Sequence, residues 1–288
     1  MDRLFLSDKL TNAELTQIAR SLNDNYHAFL LDVQVWELIK SVVPSDIYKS
    51  EIQPLKKKFV GHKIVNDIVM NYYMGEKKVK YHLAKQFINR PNEVSLFEFN
   101  VGSSRLDFAR INGHSYAYEI KTELDSLEKL EKQLIDYSRV FEYIHVIVHP
   151  KHYNKVYDLV PEHCGIATYN SEKSNFPFSY KKKRLLNPNI EPLTQLQTLT
   201  VKEINSILKI FGIEATSLTR KEKEEKLLES ISPPKINHLF KEHIKMRFQK
   251  RWFHICNHIE EIEPIDLQSF FKSTIDPALI YYKNSSIV

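Results

Sequence analysis

Glycine is scarce in this chain of 288 residues, with only 6 present. That scarcity argues against a glycine-rich phosphate loop, and no G-x-x-x-x-G-K-[ST] motif occurs. ATP-driven chemistry is therefore not expected. The 2 cysteines, Cys164 and Cys256, stand far apart and suggest no disulfide framework. A reducing cytoplasm is the expected setting. No apolar run approaches the length of a membrane span. The opening residues, MDRLFLSDKL, are too charged and their apolar run too short for a secretory signal. Neither G-x-S-x-G nor H-E-x-x-H nor a kinase-like set is found. The net charge of +5 permits a nucleic-acid partner without requiring one.

The informative stretch is Ser104 to Tyr137. Arg105 to Ile111 alternates and is rich in apolar residues, which predicts a strand. Asn112-Gly113 predicts a two-residue hairpin turn, and Ser115 to Lys121 the return strand. Residues two apart on a strand share a face, so Glu119 and Lys121 project together. Asp107 on the partner strand comes close to them across the hairpin. Carboxylates in an apolar strand pair need compensation. Two of them, with backbone carbonyls, suit a hard cation such as Mg²⁺. The bland alternative is an ordinary Glu–Lys pair on a solvated face. Asp125 to Phe141 predicts a helix with Leu127, Leu130, Leu134 and Phe141 as its apolar stripe. Gln133 and Tyr137, four apart, share a neighbouring face. Asp125 reads as the helix cap. Tyr143 to His149 predicts a buried strand, giving the order β-β-α-β.

Asp107, Glu119-Ile120-Lys121 and Gln133-x-x-x-Tyr137 resemble the signature of the PD-(D/E)xK nuclease superfamily, in its RecB-like form with a glutamine–tyrosine helix. More narrowly, Arg105-x-Asp107, Tyr118-Glu119-Ile120-Lys121-Thr122, Asp125-x-Leu127, the glutamine–tyrosine pair and Phe141 follow the order found in a group of small bacterial nuclease-like proteins. Pro161-Glu162 and Gly165-Ile166 resemble the next part of that pattern. The likeness covers roughly Glu93 to Asn170. It departs from the family name at Leu106, where the proline would stand. The resemblance implies an α/β, restriction-endonuclease-like core with a mixed central sheet flanked by helices. It implies metal-dependent hydrolysis of DNA phosphodiesters. Asp107, Glu119 and the Ile120 carbonyl would hold Mg²⁺, with Mn²⁺ as a substitute. Lys121 would orient the attacking water or stabilise charge on the phosphate, and Gln133 and Tyr137 would hold the site or the DNA backbone. Glu98 is an upstream acid that either completes the metal shell or lies on the surface. Arg105 either pairs with Asp107 or meets a phosphate.

Around this core, residues 1–58 read as a helical N-terminal region and residues 59–190 as the nuclease-like core. Thr11 to Leu22, with Thr11 or Asn12 as cap, His27 to Val42, Ser45 to Ile52, Gly61 to Tyr73 and Gly75 to Ile88 are predicted helices. Glu93 to Asn100 is the predicted first strand. Lys181, Lys182, Lys183 and Arg184 form a basic edge before a linker near residue 190. Residues 191–232 resemble a SAP-type DNA-binding module. A Thr-capped helix runs from Val201 to Phe211, Gly212 stops it, and a second helix runs from Lys221 to Ser230; a plain helical spacer is the alternative. Residues 233–288 are a basic helical C-terminal region. There Pro233-Pro234 breaks the chain, and a helix from Ile236 to His258 carries Lys245, Arg247, Lys250 and Arg251 beside Trp252 and Phe253. Basic residues interleaved with aromatics suit a phosphate backbone. The expected partner is DNA, with a homodimer as a common arrangement for cutting both strands and no membrane. The rival readings are a catalytically idle DNA-binding module and a protein-interaction or inhibitor protein on the same fold, phage-borne or defence-related.

Overall fold

Every residue of Ser115–Lys121 is buried, and this segment is an inner strand of the sheet. Its bulk is apolar or aromatic on both faces, as a strand covered on both sides requires. The computed structural model describes residues 5–170 and 177–272. The chain forms two compact units, one made of residues 1–83 with 254–288 and the other of residues 84–253. These units cut across the four consecutive segments expected from the sequence.

In the first unit, α1 (Asn12–Asn25), α2 (Asp32–Val42) and α3 (Gly61–Tyr72) enclose a core that includes Leu15, Leu22, Trp36, Ile39, Ile64 and Ile68. Thr11 and Glu14 cap α1 reciprocally, as its sequence predicts. Ser45 to Ile52 is not one helix. A helical turn at Ser45–Ile47 widens into a π turn at Tyr48–Ile52 and tightens into a 3₁₀ turn at Gln53–Lys57. Pro54, near the start of that last turn, has no N–H to continue an α-helical ladder. The helix α4 (Glu76–Lys85) starts in this unit.

The second unit is mixed α/β. Among the described residues, six strands form one sheet in sequence order, flanked by helices. The strands are β1 (Val94–Val101), β2 (Ser104–Ile111), β3 (Ser115–Lys121), β4 (Tyr143–Val148), β5 (Gly165–Tyr169) and β6 (Phe178–Lys182). The pairs β1–β2, β2–β3 and β5–β6 are antiparallel; β3–β4 and β4–β5 are parallel. The parallel crossovers carry α5 (Leu130–Ser138) and α6 (Tyr153–Leu159). There follow α7 (Pro192–Thr198), α8 (Val201–Ile210), α9 (Arg220–Ser230) and α10 (Pro233–His258), whose last residues belong to the first unit.

Several predicted boundaries move for identifiable reasons. The hairpin turn after β2 holds His114 as well as Asn112 and Gly113, because Ile111 pairs with Ser115. Gly113 supplies the positive φ of 97° that the turn needs. The helix predicted from Asp125 begins only at Leu130. Asp125 Oδ2 instead accepts from the Thr122 N–H and hydroxyl, both at 2.6 Å, and closes a turn before the helix. The dipeptide Pro233-Pro234 opens α10 rather than breaking the chain before it, since a missing N–H costs nothing in the first helical turn. Trp252 is 1% exposed and belongs to the core, not to a solvent-facing basic surface. As predicted, α8 ends at Gly212: its φ is 65°, and Gly212 and Ile213 donate back to the Lys209 and Leu208 carbonyls in a Schellman pattern.

One buried carboxylate joins distant parts of the second unit. Glu142 accepts from the Ser115 N–H at 2.6 Å, from Asn237 at 3.0 Å and from Lys241 at 3.0 Å. Lys241 also donates to the Gly113 carbonyl at 2.6 Å, so α10 grips the tip of the β2–β3 hairpin.

His145 is 2% exposed and its ring stacks on Tyr118 with centroids 4.8 Å apart. Its Nε2 accepts from Arg184 at 3.1 Å. Burial, reinforced by the Arg184 and Arg110 cations, pushes its pKa down to about 3. The unfolded ring takes up a proton near pH ~6.5 and the folded ring only far below that. The stability from this group is therefore full above that pH and drains as pH falls, by ~1.4 kcal/mol per unit. In urea unfolding between about pH 6 and 4, His145→Gln should lose stability less steeply than wild type by that amount per unit. Equal slopes would show that the ring does not stay neutral in the fold.

Candidate active site

Register brings three carboxylates into a row. Glu98 stands opposite Asp107 across β1 and β2, at a position where the pairing of Phe97 with Phe108 and of Phe99 with Leu106 skips one step. Asp107 in turn stands opposite Glu119, one residue beyond the last β2–β3 pair, Phe108 with Tyr118. A carboxylate oxygen of Glu98 and one of Asp107 lie within 4.8 Å of each other. The main chain yields at both ends of this row. Glu98 adopts a left-handed backbone with φ 57°, a conformation costing a non-glycine residue roughly 1–2 kcal/mol. Asp107 Oδ2 accepts the Ile120 N–H at 2.7 Å, so a side chain takes the donor where the ladder leaves off. Ile120 thus faces Asp107 through its N–H.

Glu119 is 2% exposed and is gripped on both oxygens. Lys121 Nζ lies 2.8 Å from Oε1, and the Tyr137 hydroxyl lies 2.9 Å from Oε2. Lys121 also donates to Gln133 Oε1 at 2.9 Å. Burial pushes the Glu119 carboxyl above the usual range, against the opposing pull of Lys121, Tyr137 and Gln133. Tyr137 is fully buried, and its hydroxyl also sits 3.0 Å from the Arg105 carbonyl. Burial and the Glu119 charge push its pKa far up, so it stays a donor. It is both a core residue and a site residue. Gln133 and Tyr137 reach Lys121 and Glu119 from one face of α5, as their spacing predicts. Leu130 and Leu134 anchor that helix, while Leu127 lies ahead of it and Phe141 beyond it.

Arg105 pairs with Glu98, Nε to Oε2 at 2.8 Å, rather than with Asp107, and its side chain is mostly exposed. The sequence reading missed the hairpin that sets Glu98 against Asp107. Its signal was present: Gly102-Ser103 between two alternating runs is a two-residue turn, with Gly102 at φ 57°. Asp136 of α5 secures that turn, accepting from Ser104 Oγ at 2.6 Å.

The other basic candidates divide. Lys181 and Lys183 are exposed. Lys182 is half-buried and donates to the Pro161 carbonyl at 3.1 Å, and Arg184 is held against His145. In α10, Lys245 and Arg251 are half-buried and Lys250 is exposed. Arg247 is committed to Glu203, with Nε 2.8 Å from Oε1, and to the Thr198 carbonyl at 3.2 Å. It fastens α8 to α10 instead of standing ready for a phosphate. Among the described residues, no helix is long and apolar enough to cross a membrane.

Residues 70–270 match the family model described as bacteriophage P4 protein cII, and the chain belongs to that family. Protein cII of Enterobacteria phage P4 is 28% identical over 146 residues, which cover 51% of this chain and 55% of that protein. The chain thus matches about half the length of this curated relative. No solved structure matches.

Tyr137→Phe tests the grip on Glu119. Loss of the hydroxyl leaves a buried carboxylate oxygen and the Arg105 carbonyl short of a donor. The fold should lose about 1–3 kcal/mol in denaturant unfolding near neutral pH. An unchanged midpoint would mean that the hydroxyl does not satisfy the buried acid.

Proposed function

We propose that this chain is a metal-dependent nuclease that hydrolyses phosphodiester bonds in DNA, on a restriction-endonuclease-like core of the PD-(D/E)xK type. The observation that carries the reading is the row of Glu98, Asp107 and Glu119 on three adjacent strands, with Lys121 beside the last. The donor set fits Mg²⁺: it is all hard carboxylate oxygen, with no thiolate or imidazole. Asp107, Glu119 and the Ile120 carbonyl would hold the ion, with Glu98 as a further carboxylate. A bound Mg²⁺ or Mn²⁺ supplies Lewis acidity toward the scissile phosphate and a more acidic water.

The chain's own groups do the rest. Lys121, beside the carboxylate row, would set its ammonium toward the charge that builds on the phosphate. Gln133 holds Lys121 in place. Tyr137 fixes the Glu119 carboxylate from the far side. Lys181, Lys183 and Lys250, with Arg105 beside Glu98, are the exposed members of the cation set proposed to meet the DNA backbone, and the SAP-like α8–α9 segment would add a second contact. A phage family suits DNA processing or defence.

One observation favours a second reading, a DNA-binding module that does not cut. Both Glu119 oxygens already have protein partners. Cleavage of plasmid, linear and single-stranded DNA with Mg²⁺ or Mn²⁺ separates the two. Asp107→Asn, Glu119→Gln and Lys121→Met should each lower cutting by at least ~100-fold. Gln133→Ala, which acts through Lys121, should cost ~10–100-fold. Binding of DNA without any cutting by wild type would establish the second reading.

A further inference from the structure

The face of the sheet away from the acids has its own concentration of charge. Residues alternate along a strand, so Arg110, Tyr116, Tyr118 and His145 face away from Asp107 and Glu119. Tyr116 also lies five residues before Lys121 on β3, or ~17 Å along the strand. On this side a pocket of about 250 Å³ is lined by His145, Tyr180, Lys181, Lys182, Lys183 and Arg184. Among the described residues, no carboxylate lines it.

Lys181, Lys183 and Arg184 gather at one concavity and repel one another unless an anion joins them. Arg184 is held in place. Arg184 donates to His145 Nε2 at 3.1 Å, and its guanidinium lies 5.3 Å and 5.4 Å from the ring centres of Tyr116 and Tyr143. Lys182 pairs with Ile166, in the register of Val146 and Glu119, so its side chain lies on the acids' side, tied to the Pro161 carbonyl with its ammonium 5.7 Å from the Tyr157 ring centre. A guanidinium has five N–H donors, and the histidine takes one. Because Nε2 accepts, the neutral His145 ring carries its proton on Nδ1, and that buried nitrogen has no hydrogen-bond partner. His145 thus carries a buried donor that the protein leaves unpaired, beside a pocket that collects basic groups.

We propose that this pocket is a second anion site, taking a phosphate group through Lys181, Lys183 and Arg184. The volume lies below the ~300–1,000 Å³ of sites for drug-sized ligands, which suits a phosphate rather than a whole nucleotide. Tyr180, 52% exposed at the rim, offers a ring on which a neighbouring base can stack. The phosphate comes either from a nucleic-acid strand or from free phosphate. The site bears on the nuclease reading without resting on it.

The test uses the full chain in EDTA, so that cleavage plays no part. One arm measures anisotropy of a fluorescent single-stranded oligonucleotide across a salt series; the other measures inorganic phosphate by calorimetry. The variants are Arg184→Gln and the double variant Lys181→Ala/Lys183→Ala, whose exposed side chains leave folding untouched. For a strand phosphate, both variants weaken oligonucleotide binding, phosphate competes, and the double variant lowers the salt slope by about 2. Weakened phosphate binding with unchanged oligonucleotide binding assigns the site to free phosphate. Wild-type affinity of the double variant in both arms overturns the proposal. Neither arm depends on cleavage, so failure of the nuclease reading and failure of this site are told apart.

Discussion

A glutamate carboxylate buried in the middle of a sheet dictates what surrounds it. Glu119 loses water on folding, and that loss alone favours its neutral form. Lys121, Tyr137 and Gln133 restore part of what water gave. Each restricts the chain further: Lys121 must share the strand face, and the other two must come from a helix lying over it. That helix is fixed by Leu130 and Leu134 beneath and by Asp136 on the β1–β2 turn. The local arrangement thus follows from one acid that is costly to bury unaided.

The neighbouring acids add to the same cost. Glu98 and Asp107 face each other at close range, and the sheet gives up regular pairing to hold them there. A left-handed glutamate and a ladder bond replaced by a side chain are departures that a merely structural sheet has no reason to keep. They sit together, on one face, with Lys121 at the end of the row. On the opposite face Arg110 and Arg184 lie against the Tyr116 ring, with Arg110 also paired to buried Glu93. The sheet therefore separates two electrostatic environments by little more than its own thickness.

Much of this was legible in the residues. Period-two alternation and the Asn-Gly turn located β2 and β3, and the parity rule placed Glu119 and Lys121 together. Spacing of four placed Gln133 and Tyr137 on one helix face. What escaped were features set by competition between side chains and backbone. Asp125 has the chemistry of a helix cap but finds Thr122 first. Pro233-Pro234 looks like a breaker and serves as a helix start, because only position within the helix distinguishes the two. Arg247 belongs to a basic-looking run, and no periodicity reveals that Glu203, far away in sequence, claims it. The two-unit organisation was hidden for the same reason: its first unit joins segments from both ends of the chain.

The clasp on Glu142 has a consequence for where this protein can be divided. The sheet ends at Lys182, and a segment cut soon after it would contain every acid of the candidate site. Such a fragment would lack Asn237 and Lys241, leaving Glu142 buried beside the hairpin tip with its charge poorly answered. The helix from Pro233 is thus a part of the core supplied late in the sequence. An ancestral or engineered minimal version must either keep that helix or change the acid, and the two positions are expected to vary together rather than one at a time.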